Sequence, residues 1–243
     1  MPRGPFNIFH GAAALLVFFL LLVFLFVLIQ VGAVTLAFTK LGLSASQGFL
    51  LLVLTLIGAT INIPVYRTGR LVPVRPKLFT FQLGRGFGPQ LQDQGEDSLR
   101  EQIVAVNVGG CVIPTLLSML LVSRLDTSGM AESHAHMMVA LSVAIVAATT
   151  HKLAKPVQGV GIGVPVLLPP IVTALTAIIL APPEIAPHVA YVAGSLGTLL
   201  GADVLHLLRR STMARLDAPV LAIGGAGTFD GIFLTGIIAV LLA

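Results

Sequence analysis

"VLAIGGAGTFDGIFLTGIIAVLLA", Val220 to Ala243, is apolar throughout except for one carboxylate, Asp230, set among five glycines. As a helix it can cross the ~30 Å hydrocarbon core of a bilayer, which takes about 20 apolar residues. Six other windows pass the same test, so the sequence predicts seven membrane-spanning segments, at about 10–35, 43–64, 102–123, 134–151, 161–181, 188–208 and 220–243. The fifth begins in "KPVQGVGIGVPVLLPP" (155–170), whose glycines and prolines predict a broken or re-entrant start. The first has a single basic residue, Arg3, before it, but its apolar run exceeds that of a signal peptide and reads as a retained anchor.

Composition agrees with this reading. The 243 residues are 56% hydrophobic, only 10% charged and contain no Trp, and the mean hydropathy is +0.99. A water-soluble domain does not carry so little charge. The net charge of +4 comes from short loops between apolar runs rather than from an aqueous basic face, which excludes nucleic acid as the expected partner. The lone Cys111, within an apolar run, forms no internal disulfide and lacks the electropositive setting of a catalytic thiolate.

With seven spans the loops alternate sides. Arg3, Arg67, Arg70, Arg75, Lys77, Arg85, Arg100, Lys152, Lys155, Arg209, Arg210 and Arg215 fall on one side, and only Lys40 and Arg124 on the other. By the positive-inside rule the N-terminus is cytoplasmic, in an inner membrane. The expected fold is therefore an all-α bundle forming one transmembrane domain over 1–243. Its one long polar loop, 65–101, is cytoplasmic. That loop reads either as a surface hairpin whose cations meet anionic headgroups or as a lid hinged at Gly84, Gly86 and Gly88. Its "LGRGFG" follows no clear strand and is not a phosphate-binding signature.

Ionisable residues inside spans are functional candidates, because a charge at the bilayer centre costs at least about 2.5–3.5 kcal/mol. Asp203, in "LGTLLGADVLHLL", and Asp230 are the two acids. Asp203 lies roughly 9 Å inward of Arg209 and Asp230 about 16 Å inward of Pro219, on consecutive antiparallel helices. If they meet, like charges in a low dielectric share a proton, one acid activating water while the other protonates the leaving group. The spacings Gly197/Gly201 and Gly227/Gly231 offer close helix approach, although Asp203 points nearly opposite the first of these faces. Unwinding at Gly224, Gly225 and Gly227 would bring the acids to similar depth. Asn62, Asn107, His151, Lys152, Lys155 and His206 fall in the same half, as lining of a cytoplasm-facing polar cavity or as helix-bridging and snorkelling side chains. Asp203 with His206 is a carboxylate-x-x-His pair without a third ligand. Glu132, His134 and His136 of "ESHAH" cannot converge along a helix. No metal site and no cofactor is assigned.

"KPVQGVGIGVP", "GTLLGADVLHL" and "IGGAGTFDGIFLTGIIAVLL" resemble the signature blocks of a prokaryotic integral-membrane family catalogued only as a domain of unknown function. The resemblance runs from about residue 45 onward and implies a multi-spanning protein. A weaker resemblance is to presenilin-type and prepilin-type aspartyl proteases, which carry two membrane-helix aspartates, one within Gly-x-Gly-Asp. Neither Gly201-Ala202-Asp203 nor Gly227-Thr228-Phe229-Asp230 is a literal match, and there is no Pro-Ala-Leu motif. This resemblance implies an intramembrane protease acting on membrane-embedded peptide with Asp203 and Asp230. A small proton- or cation-coupled transporter, or a non-catalytic assembly subunit, are the competing readings.

Overall fold

The computed structural model of the chain describes residues 6–74, 78–80, 90–92, 98–125, 127, 131–157, 161–213, 215–225 and 231–243. Each of the seven apolar windows contributes a helix. These are α1 (Phe6–Lys40), α2 (Ala45–Gly58), α3 (Val108–Ser123), α4 (Glu132–Leu153), α5 (Leu168–Leu180), α6 (Ala186–Leu207) and, after a single turn α7 (Arg210–Met213), α8 (Gly231–Leu242). Three of them, α1, α4 and α6, are long and apolar enough to cross a membrane. The other four have 10–17 residues. At 1.5 Å per residue, the 12 residues of α8 reach about 18 Å, well short of a ~30 Å core.

The missing length is strand, which corrects the expectation of an all-α fold of seven full spans. The apolar runs around residues 58–64, 102–107 and 220–223 leave the helical path and build one three-stranded sheet. Its members are β1 (Asn62–Val74), β4 (Ser98–Asn107) and β7 (Val220–Ile223), in the order β1-β4-β7. β1 and β4 are antiparallel, with Asn62 opposite Asn107 and Val74 opposite Ser98, while β4 and β7 run parallel from Ile103 opposite Val220 to Val106 opposite Ile223. A short apolar run fits a buried strand as well as a helix. Here β-branched "QIVAVN" and Pro64 decide, the proline standing on the edge strand where its missing amide costs no ladder bond. The loop 65–101 is thus partly a hairpin, with a second small ladder of β2 (Leu78–Thr80) and β3 (Gln90–Gln92); Arg75, Lys77 and Gly84, Gly86 and Gly88 lie outside the described residues. The Gly/Pro-rich stretch forms a tight antiparallel pair, β5 (Lys155–Val157) and β6 (Gly161–Gly163), before α5.

The main core joins the C-terminal end of α1 to α3, α4, α5, α6 and α8, around Phe38, Leu121, Val189, Tyr191, Phe233 and Val240. Phe38 and Phe233 pack as tilted rings 6.2 Å apart. From Leu15 to Ile29, by contrast, α1 exposes every side chain, as expected of a helix whose solvent there is lipid. Lys40, ending α1, donates from Nζ to the Val240 and Leu241 carbonyls at 3.2 and 3.4 Å, so a cation meets the negative end of α8. α2 starts with a capping box. The Gln47 amide donates to Ser44 Oγ and the Ser44 amide to Gln47 Oε1.

Candidate functional site

α6 is not a regular α-helix. Residues Ala193–Gly197 and Leu199–Val204 form π turns, the wide-turn irregularity often found at functional sites. In the second of them the Leu205 amide bonds the Leu200 carbonyl, five residues back. The Gly201 carbonyl there faces two imidazoles: Nδ1 of His151, near the end of α4, lies 3.2 Å from it and Nδ1 of His206 3.1 Å. The two rings sit 4.2 Å apart. That closeness depends on small residues, since a Cβ on Gly201 would collide with the Ala147 carbonyl oxygen and one on Gly197 would lie 2.7 Å from Val146 Cβ.

Two residues on in the same π element, Asp203 lines a cavity of about 420 Å³. Its walls come from the Ile162–Val166 segment, which begins in β6, the head of α5 at Pro169, Thr198, Asp203 and Leu207 of α6, strand β7, and the head of α8 at Gly231 and Thr235. The lining is largely aliphatic with a few polar groups, the usual make-up of a binding pocket. Asp203 also secures one wall. Its Oδ2 accepts the Gly224 amide at 2.6 Å, a short charge-assisted bond to a residue with φ of +76°. The strap before β7 is held from the hairpin side. Gln102 donates from Nε2 to the Leu216 and Ala218 carbonyls at 2.7 and 3.0 Å. Arg70 donates from Nη1 to the Met213 carbonyl at 2.7 Å and from Nη2 to Asp217 at 2.9 Å.

With cavity, bulged helix and membrane-length helices in place, a comparison of the sequence with family models matches residues 56–242 to a protein family of unknown function, DUF1614. The chain belongs to the DUF1614 family. No curated protein matches it, and no solved structure does. The matched range covers every wall of the cavity and leaves out the whole of α1.

Within this DUF1614 chain the candidate residues separate into distinct places. Asp203 is on the cavity; Asp230 and Gly227 lie outside the described residues, with Gly225 and Gly231 of the cavity wall on either side of that stretch. Asn62 and Asn107 meet each other, Nδ2 of Asn107 donating to Asn62 Oδ1 at 3.0 Å and to the Ala59 carbonyl at 2.8 Å, while its Oδ1 takes the Gly110 amide at 2.9 Å. They form a clamp joining α2, β1 and α3, apart from the cavity lining. His151 and His206 form the pair behind Gly201, and Lys155, on β5, is exposed. Gly197 and Gly201 pack on α4, whereas α6 meets α8 through Gly194 and Gly236: a Cβ on Gly194 would lie 3.1 Å from Gly236 Cα. Gly231 has open space around it. Thr198, Thr235 and the β7 wall were not singled out from sequence, because hydroxyls and aliphatics in an apolar run carry no signal until the fold gathers them.

Proposed function

We propose that this protein is an intramembrane aspartyl protease that cleaves membrane-embedded peptide with Asp203 and Asp230. The observation that carries the reading is that Asp203 faces a cavity whose wall also includes Gly231, the residue covalently joined to Asp230. In the proposed step the two carboxyls share one proton. The ionised one takes a proton from water, whose oxygen bonds to the peptide carbonyl carbon, while the protonated one donates to the carbonyl oxygen. Collapse of the tetrahedral intermediate breaks the C–N bond and the nitrogen leaves protonated, giving an acid and an amine. An extended peptide as substrate is supported by β7, an edge strand of the described sheet. Because the Pro219 carbonyl accepts the Ile103 amide, alternation turns the amides of Val220 and Ala222 to the outer edge, where a strand can add. The Lys and Arg distribution favours a bacterial-type inner membrane with this end cytoplasmic.

The test is cleavage of an internally quenched transmembrane peptide by the full chain in proteoliposomes. Asp203→Asn and Asp230→Asn should each lower the rate by at least about 10²-fold. Asp203→Asn should still fold, because an amide oxygen keeps the acceptor for Gly224. Cleavage that persists in either variant, or is absent from the unaltered protein, overturns the reading. Proton-coupled ion uptake lost in the same variants would assign the acids to transport.

A further inference from the structure

Asp203 stands in its cavity without a cation. Among the described residues that line the cavity there is no Lys, Arg or His. The ion pairs among the described residues, Arg67 with Glu101 and Arg70 with Asp217, leave Asp203 out. Residues 226–230, which join the wall residues Gly225 and Gly231, contain no Lys, Arg or His either. Lys155, on β5 opposite the wall residue Gly163, is exposed.

A carboxylate among aliphatic walls either takes up a proton or acquires a positive partner, because an unpaired buried charge is costly. The Gly224 amide, 2.6 Å from Oδ2, supports the ionised form at one oxygen. No described residue donates to Oδ1. The rest of the wall says what else the partner must carry. Ile162, Val164, Leu207, Leu221, Ile232 and Leu234 make it mostly aliphatic, and no aromatic residue is among the described lining. The cavity, about 420 Å³, is of small-molecule size, so a bare inorganic cation would leave most of the space and nearly all of the apolar wall unused. The wall reaches the surface at Val166, which is 70% exposed and is followed by the exposed apolar Leu167 and Leu168. A border of that kind suits a ligand arriving from lipid.

We propose that this cavity binds a cationic amphiphile of the alkylammonium class, its nitrogen on Asp203 and its hydrocarbon chain along the aliphatic wall. The ammonium donates to Oδ1 in a charge-assisted bond, and each methylene buried on the wall tightens binding about fourfold. The site stands whether or not the protein cleaves peptide, and it does not depend on Asp230.

The experiment is thermal unfolding of the full chain in detergent at about pH 8, where an alkylamine is protonated and a carboxylate ionised. The probes are n-octylammonium chloride and n-octanol, which have the same chain and differ in charge. At ten times its dissociation constant octylammonium should raise the midpoint by about 3–6 °C, and octanol at the same concentration by less than about 1 °C. Hexylammonium, two methylenes shorter, should need about 15-fold more for an equal shift. Asp203→Asn, which keeps an acceptor for Gly224, should abolish the response to the amine. The proposal is overturned if the amine gives no shift, if the alcohol matches it, or if the response survives in Asp203→Asn. Sodium chloride reproducing the shift also overturns it and assigns the carboxylate to an inorganic cation. The comparison of amine with alcohol needs no variant, so it decides even where Asp203→Asn does not fold.

Discussion

Replacing Gly224 by alanine tests the joint that holds Asp203 against the sheet. Two costs add there. With φ of +76° the residue is in left-handed space, which costs an L side chain about 1–2 kcal/mol. The new Cβ would also stand 2.6 Å from the Gly110 carbonyl carbon and 2.7 Å from the Cys111 amide nitrogen. These are backbone atoms of the turn that opens α3 and cannot rotate aside, so relief requires the chains to separate, at about 1–3 kcal/mol. Together about 2–5 kcal/mol is lost, a large part of a stability that is typically 5–15 kcal/mol. Gly42 provides the control, since its φ is +73° but nothing lies within 4 Å of its Cβ position. Gly42→Ala should cost only the backbone part. In thermal unfolding of the detergent-solubilised chain the loss for Gly224→Ala is about 4–20 °C and for Gly42→Ala about 2–8 °C, at about 2–4 °C per kcal/mol for a chain of this size. Asparagine tolerates left-handed backbone, so Gly42→Asn should recover most of the loss and Gly224→Asn should not. Equal losses for the two alanine variants, or rescue of position 224 by asparagine, would refute the packing argument.

Two further outcomes follow from the clamps around the site. Asn107→Ala removes the donor to Ala59 and Asn62 and the acceptor of the Gly110 amide at a residue 2% exposed, and should lower the unfolding midpoint by the equivalent of about 2–4 kcal/mol. In a double-mutant cycle, Arg70 and Asp217, whose side chains are 37% and 48% exposed, should couple by only about 0.2–1 kcal/mol and less in high salt; a coupling insensitive to salt would show that the strap is shielded from solvent.

Much of the helical framework was legible because a bilayer demands long apolar runs and little else produces them. All seven windows contain a helix, and Asp203 stood out as a carboxylate inside one of them. What could not be read was where each run stops being helix. "IVAV" (103–106) and "VLAI" (220–223) are apolar enough for either structure, and only pairing with one another, across more than a hundred residues, satisfies their backbone groups as strands. The two asparagines were visible as polar residues at similar depth. Their mutual bond at 3.0 Å, and their separation from the cavity, depend on how α2, β1 and α3 are joined.

By itself, then, the sequence determined the apolar helices and the membrane-like character of the longest of them, since these depend on hydrophobicity and length, which are properties of each segment alone. The tertiary structure decided the sheet, the π turns that aim Asp203 at Gly224, and the choice of glycines at each helix contact. Gly197 and Gly201 carry the small-xxx-small spacing that suggested a contact with the last helix. They serve α4 instead, and the last helix is met through Gly194 and Gly236. Spacing tells which residues share a helix face, but which neighbour that face meets is set by the packing of every other helix at once.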